Sequence, residues 1–137
     1  MTEDSLHREI IEEHAKNPQF KGKLKNFSHY GFYQSPKTGN QCNVQLLIED
    51  ETIVQVGYGI QGSALSTAIA SIMSCEIVKM KIARTVILAE QIIESLERNS
   101  TVLLSSELCV YESIRNFPER YDCALLAWRA LLQALKE

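Results

Sequence analysis

Four cysteines and three histidines are the residues of this 137-residue chain best suited to nucleophilic or metal chemistry. The cysteines stand at positions 42, 75, 109 and 123, spaced 33, 34 and 14 apart, so no CxxC pair occurs. An even count is compatible with disulfides. The beginning, Met1-Thr2-Glu3-Asp4-Ser5, is acidic and runs into an amphipathic pattern, unlike the basic start and apolar centre of a secretory signal. The expectation is a cytoplasmic protein with free thiols. Cys42 shares the parity of Val44 and Leu46, Cys75 follows Ile72 by three places, and Cys109 lies between Leu108 and Val110. Each reads as an inert core thiol. Cys123 differs. It follows Phe117-Pro118-Glu119-Arg120-Tyr121-Asp122 at the opening of a helix, where free N–H groups and aligned dipoles favour a thiolate. Asp122 opposes that charge and Arg120 offsets the opposition.

Other chemistries fit less well. His7 and His14 lie seven positions apart on one helix, which separates them by about 10 Å along its axis. Two ligands of one zinc must each approach within about 2.1 Å, so these read as surface or packing histidines, and His29 lies on another element. Gly57-Tyr58-Gly59-Ile60-Gln61-Gly62 spells GxGxxG between a strand and a helix. A dinucleotide site would need a parallel βαβ unit with an acidic residue about 20 positions on; here the strand belongs to a hairpin, so a backbone bend is the simpler reading. Ser63 and Ser66 follow glycines, but GxSxG is missing and no histidine comes after them. That order excludes an α/β-hydrolase triad.

The elements that must position Cys123 follow from periodicity. Residues 4–16 read as a helix with Leu6, Ile10 and either Ile11 or His14 at helical spacing, stopped by Asn17-Pro18. Residues 19–25, with three lysines and Gly22, read as a solvated connection. Asn26–Tyr33 is a candidate strand, and Ser35–Asn40 a loop. Cys42, Val44, Leu46 and Ile48 alternate with Asn43, Gln45, Leu47 and Glu49, which predicts a half-buried strand. Thr52–Tyr58 returns after a short turn, so the two form an antiparallel hairpin. Gly57, Gly59 and Gly62 are expected to carry the chain from strand to helix. Helices follow at about 63–78 and 82–97, the second with Ile82, Val86, Ala89, Ile93 and Leu96 inward. Ser105 or Ser106 can cap a short helix through Tyr111–Ile114, and a last helix fills about 121–135. The prediction is one α+β domain over 1–137, a small antiparallel sheet with helices packed on one face. A net charge of −3, from 14 basic and 17 acidic residues, predicts no nucleic-acid partner. No apolar run reaches the roughly 18 residues of a membrane helix.

Four ordered segments, spanning nearly the whole chain, resemble the iron–sulfur cluster assembly scaffolds known as IscU, SufU and the NifU N-terminal domain. IIEEHAKNPQF from Ile10 is similar to the family's first helix and its asparagine-proline end. SPKTGN matches the loop that normally holds a cysteine, glycine and aspartate. GIQGSALSTAIASIM resembles the family's glycine-cysteine helix start. FPERYDCALLAWRALLQAL looks like the SufU branch, as does the long interval from Ser63 to Cys123.

The resemblance implies a three-stranded antiparallel sheet packed against four to five helices, with three cysteines and an aspartate meeting at one end. In IscU these support cluster assembly; in SufU they bind zinc, and a cysteine accepts sulfur from a cysteine desulfurase. Carried over, the first cysteine falls on Thr38, the aspartate on Asn40, the second cysteine on Ser63, and only the third survives, as Cys123. A hydroxyl that stays protonated and a neutral amide are feeble ligands, so no metal or cluster is expected. A rebuilt zinc or cluster site would draw on Cys42, Asp122 and Cys123. The implied function is iron–sulfur cluster assembly, as a scaffold or sulfur relay with most metal ligands lost. The alternative is a non-catalytic relative that binds and regulates a cysteine desulfurase or another assembly protein. Whether the chain is an enzyme stays open; at most Cys123 accepts and passes on sulfur.

Overall fold

The computed structural model describes residues 3–100, 104 and 106–136; Met1, Thr2 and Ser105 lie outside them. In chain order the elements are α1 (Glu3–Lys16), β1 (His29–Gln34), β2 (Gln41–Glu49), β3 (Thr52–Gln61), α2 (Ala64–Ile77), α3 (Ile82–Glu97), α4 (Tyr111–Ile114) and α5 (Tyr121–Leu135). Short 3-10 turns at Ser106–Val110 and Pro118–Arg120 lead into α4 and α5. The strands form an antiparallel sheet in the order β1-β2-β3. Register runs from His29 opposite Leu46 to Gln34 opposite Gln41, and from Gln41 opposite Gln61 to Glu49 opposite Thr52. The tight β2–β3 turn places Asp50 and Glu51 at φ of 50° and 61°, the left-handed pair that a two-residue hairpin loop requires.

Cys42, Val44 and Leu46 point to one face of β2, and α5 covers that face. Leu125, Leu126, Trp128 and Leu131 of α5 are buried against it, and α2 and α3 flank α5. Gly31 explains how close α5 comes: a Cβ there would collide with the Ala130 carbonyl and the Ala134 backbone. A glycine in β1 therefore seats the helix that carries Cys123.

Several expectations change. β1 begins at His29 rather than Asn26, and Phe27, Tyr30 and Phe32 stay exposed on the sheet's outer side. β3 continues to Gln61, so Gly57 and Gly59 lie in the strand rather than in the bend after it. Crowding explains them: a Cβ on Gly57 would come within 2.6 Å of the Gly22 carbonyl, and one on Gly59 within 2.8 Å of Asn43 Nδ2. The connection after α1 is less free than its lysines suggest. Gly22 N–H donates to Tyr58 O at 2.9 Å, and the Tyr58 hydroxyl donates to Gln19 O at 2.9 Å.

Helix α3 is rotated from the expected face. Thr85, Ala89, Ile92, Ser95 and Leu96 are buried, while Ile82, Val86 and Ile93 are only half-buried. Thr85 Oγ1 donates to Lys81 O and Ser95 Oγ to Ile92 O, so both hydroxyls enter the interior already satisfied. In α1 Leu6 is exposed, whereas His7 and His14 are buried on hydrogen-bond partners. Cys75 is exposed, not a core thiol. Ser106 opens a 3-10 turn at φ 61°, and α4 starts without a side-chain cap.

Candidate functional site

The Ser35–Asn40 loop, the β3–α2 junction and the first turn of α5 converge at one end of the sheet. Thr38 Oγ1 donates to Asp122 Oδ2 at 3.1 Å and accepts from the Asn40 N–H at 3.2 Å. Asn40 Nδ2 points at Cys123 Sγ, 3.9 Å away. Gly62 sits against this amide: a Cβ there would come within 3.4 Å of Asn40. Ser63 caps α2, accepting from the Ser66 N–H at 3.1 Å. Thr38, Asn40 and Cys123, three positions the resemblance picks out, are thus linked, and the fourth, Ser63, lines a cavity with Cys123.

The hydrogen bonds also fix what these groups can do. Asp122 Oδ1 lies 3.6 Å from Arg129 Nη1, and Arg129 Nη2 reaches Glu97 at 2.9 Å. The guanidinium also lies over the Tyr33 ring, 5.6 Å from its centre. Asp122 is therefore engaged by Thr38 and Arg129. Its charge, which the sequence sets against Cys123, is balanced on the far side by Arg129. The thiol of Cys123 is half-buried in the first turn of α5 and lines a cavity with Ser63, Leu65, Phe117 and Arg120. It is not closed in beneath Trp128, which is fully buried.

The donor set does not fit zinc or an iron–sulfur cluster. Thr38 and Ser63 offer protonated hydroxyls already used in the loop and the cap, and Asn40 turns its NH2 group, a donor, toward Cys123 Sγ. Cys42 lies in the core under α5, 1% exposed, and burial pushes its thiol up to about 12. A rebuilt set of Cys42, Cys123 and Asp122 would have to pull one ligand out of the core and another off Arg129. Among the described residues, no three His, Cys, Asp or Glu side chains gather closely enough to share an ion. The remaining thiols lie elsewhere. Cys75 is raised by partial desolvation, then by Glu107 and Glu76. Cys109 is half-buried in the 3-10 turn before α4.

One constellation escaped the sequence reading. Ser71 Oγ lies 2.7 Å from His14 Nδ1, and His14 Nε2 lies 2.9 Å from Glu107 Oε1. The order serine, histidine, carboxylate resembles a hydrolytic triad, but from three separate elements that no local motif connects. Ser71 is fully buried and its oxygen also accepts from the Gln19 N–H at 2.7 Å, so no substrate reaches it. The line is a structural tie. Its one sequence signal is the spacing of His14 from Ile10 and Ile11, which puts an imidazole on the packing side of α1.

Comparison with known proteins identifies the family and the fold. The chain is 28% identical over 131 residues to the zinc-dependent sulfurtransferase SufU of Bacillus subtilis (strain 168), covering 93% of this chain and 88% of that protein. It is 26% identical over 134 residues to the iron–sulfur cluster assembly scaffold protein IscU of Thermotoga maritima, covering 96% and 94%. A nitrogen-fixing NifU-like protein (N-terminal) from Brucella abortus superimposes with a TM-score of 0.86 at 18% identity, over 97% of this chain and 94% of that one. The profile of the NifU-like N terminal domain matches residues 6–137, so the chain belongs to that family.

Proposed function

We propose that this protein serves iron–sulfur cluster assembly in the cytoplasm as a sulfur relay, with Cys123 accepting sulfur from a cysteine desulfurase. The supporting observation is the half-buried Cys123 thiol, which lines an open cavity. Thr38, Asn40 and Ser63 replace the other ligands with hydrogen-bonding groups. Thiol exchange needs one accessible sulfur and a docking surface, whereas holding zinc or a cluster needs several anionic ligands. The Cys123 thiolate attacks the outer sulfur of the desulfurase persulfide. The new bond forms at Cys123 Sγ, and the desulfurase cysteine leaves as a thiolate. No net oxidation occurs, and no metal takes part.

The test is persulfide labelling. The full chain is incubated with a cysteine desulfurase and cysteine, then analysed by peptide mass spectrometry for the gain of one sulfur atom on Cys123. Cys123→Ser should lose the label and the ability to speed cysteine turnover. A Cys123→Ser chain that modulates the desulfurase as well as the parent does would replace the relay with a purely docking role.

A further inference from the structure

The cavity beside Cys123 measures about 680 Å³ and is walled by α1, the start of α2 and the residues that lead from α4 into α5. Ile11, Leu65, Ile114 and Phe117 give it apolar surface. That volume lies in the range that holds small molecules.

One polar atom in the wall has a state fixed by its neighbours. Ser113 Oγ donates to Asp4 Oδ1 at 2.6 Å. A hydroxyl has a single proton, and the carboxylate takes it. Ser113 Oγ must then accept from His7 Nδ1, 2.6 Å away. In the neutral ring the proton therefore sits on Nδ1, assigned from this network, and Nε2 is a bare acceptor. His7 is only 4% exposed and lines the cavity, and among the described residues nothing hydrogen-bonds Nε2. A ligand S–H or N–H that enters the cavity can donate to this nitrogen.

Charge narrows the ligand. Arg8 and Arg120 belong to the same wall, and neither has an ion-pair partner among the described residues. Arg120 is held over the Phe117 ring, 4.6 Å from its centre. Glu12 and Glu119 supply the opposite sign. Two guanidinium groups without an ion pair among the described residues call for carboxylate, and the glutamates for ammonium.

We propose that this cavity binds a low-molecular-mass thiol bearing carboxylate and ammonium groups, of the cysteine or glutathione class, as acceptor of the sulfur carried by Cys123. The proposal rests on the relay reading and names the next carrier. The acceptor thiol gives its proton to His7 Nε2 and attacks the outer sulfur of the Cys123 persulfide. The bond from that sulfur to Cys123 Sγ breaks, the acceptor leaves as a hydropersulfide, and the proton returns to Cys123. Atoms and electrons balance without an oxidant.

For the test, Cys123 of the full chain is loaded with sodium polysulfide, which bypasses the desulfurase. A failed relay then shows as missing enzymatic loading, separate from a failed acceptor site. The loaded chain is mixed with glutathione, cysteine or 2-mercaptoethanol, and the hydropersulfide is trapped by alkylation and quantified. The Arg8→Gln, Arg120→Gln double variant should lower the rate ratio of glutathione to 2-mercaptoethanol about tenfold, since one charge-assisted contact exceeds the 1.4 kcal/mol of a tenfold change. Both arginines are exposed, so folding is spared. His7→Gln should slow all three thiols. An unchanged ratio in the arginine variant, with loading intact, overturns the proposal.

Discussion

Cysteine and its near-isosteres differ little in volume and greatly in charge, and the end of the sheet illustrates the consequence. Thr38, Asn40 and Ser63, onto which the resemblance carries the family's ligands, bond to Asp122, Cys123 and the α2 N-terminus. Restoring the anions should restore the ion. The combined Thr38→Cys, Asn40→Asp, Ser63→Cys variant is expected to purify with about one zinc per chain by elemental analysis, because structural zinc is worth on the order of 10 kcal/mol once several anionic ligands share it. The parent should carry only traces. Stoichiometric zinc in the parent that is lost in Cys123→Ala would refute this. Cys42 makes a separate prediction about pH. Its thiol ordinarily titrates at 9.0 and is pushed to about 12 by burial; Tyr58 is likewise raised from 10.0 to about 12, by burial first. Above pH 9 the unfolded chain loses the Cys42 proton while the folded chain keeps it. The unfolded state then binds fewer protons, so stability is whole below pH 9 and falls as pH rises toward 12. Cys42→Val should show a smaller drop in Tm between pH 8 and pH 10.5 than the parent. Equal drops would mean that Cys42 ionises as easily in the fold as out of it.

At the scale of elements, α5 matters because it carries both Asp122 and Cys123 while pressing on β1. Gly31→Ala would drive a methyl group into the Ala130 and Ala134 backbone, which cannot swing aside as a flexible side chain would. Overpacking of this kind costs about 1–3 kcal/mol. Urea unfolding should report that loss, and displacement of α5 should also slow sulfur loading on Cys123. A variant as stable as the parent would mean that α5 rides further from the sheet. How far such features were legible in the sequence depends on which force fixed them. The β2–β3 hairpin was readable because period-two burial is a one-dimensional pattern, and α5 because its apolar stripe is strong. The resemblance, carried by local segments, drew together Thr38, Asn40, Ser63 and Cys123. The face of α3 was misread because Thr85 and Ser95 bury hydroxyls that bond back to their own helix, which a polarity count scores as exposed. Gly57 and Gly59 were misread as a bend because the need for glycine came from Gly22 and Asn43, residues distant in sequence. Asp122 was read as a neighbour of Cys123, but its partners Thr38 and Arg129 come from a loop and from two turns further along α5.

Across the whole molecule, α1 joins the cavity to the body of the fold. His7 fixes one end through Ser113 and Asp4, and His14 fixes the other through Ser71 of α2 and Glu107 of the turn before α4. Glu107 is an acceptor only, so His14 Nε2 carries a proton and Nδ1 accepts from the Ser71 hydroxyl in the neutral ring. Ser71 in turn holds the Gln19 N–H, and Tyr58 holds the Gln19 carbonyl, so one imidazole anchors both the helix and the connection after it. His14→Ala would take the acceptor from the buried Ser71 O–H, leaving its oxygen on the Gln19 N–H, and would leave a void. A buried polar group without its partner costs about 1–3 kcal/mol, and truncation of a packed side chain adds to it. The loss should be uneven. The sheet and α5 pack directly on each other, whereas α1 packs mainly on α2 and the turn before α4 and meets the core through half-buried Ile10 and Ile11. Hydrogen exchange of His14→Ala should therefore show α1 and residues 17–22 losing protection while β2 and α5 keep theirs. Because α1 also walls the cavity, sulfur transfer from loaded Cys123 to glutathione should weaken in the same variant while loading by polysulfide proceeds. Uniform loss of protection across all elements would show instead that α1 and the sheet unfold as one cooperative unit.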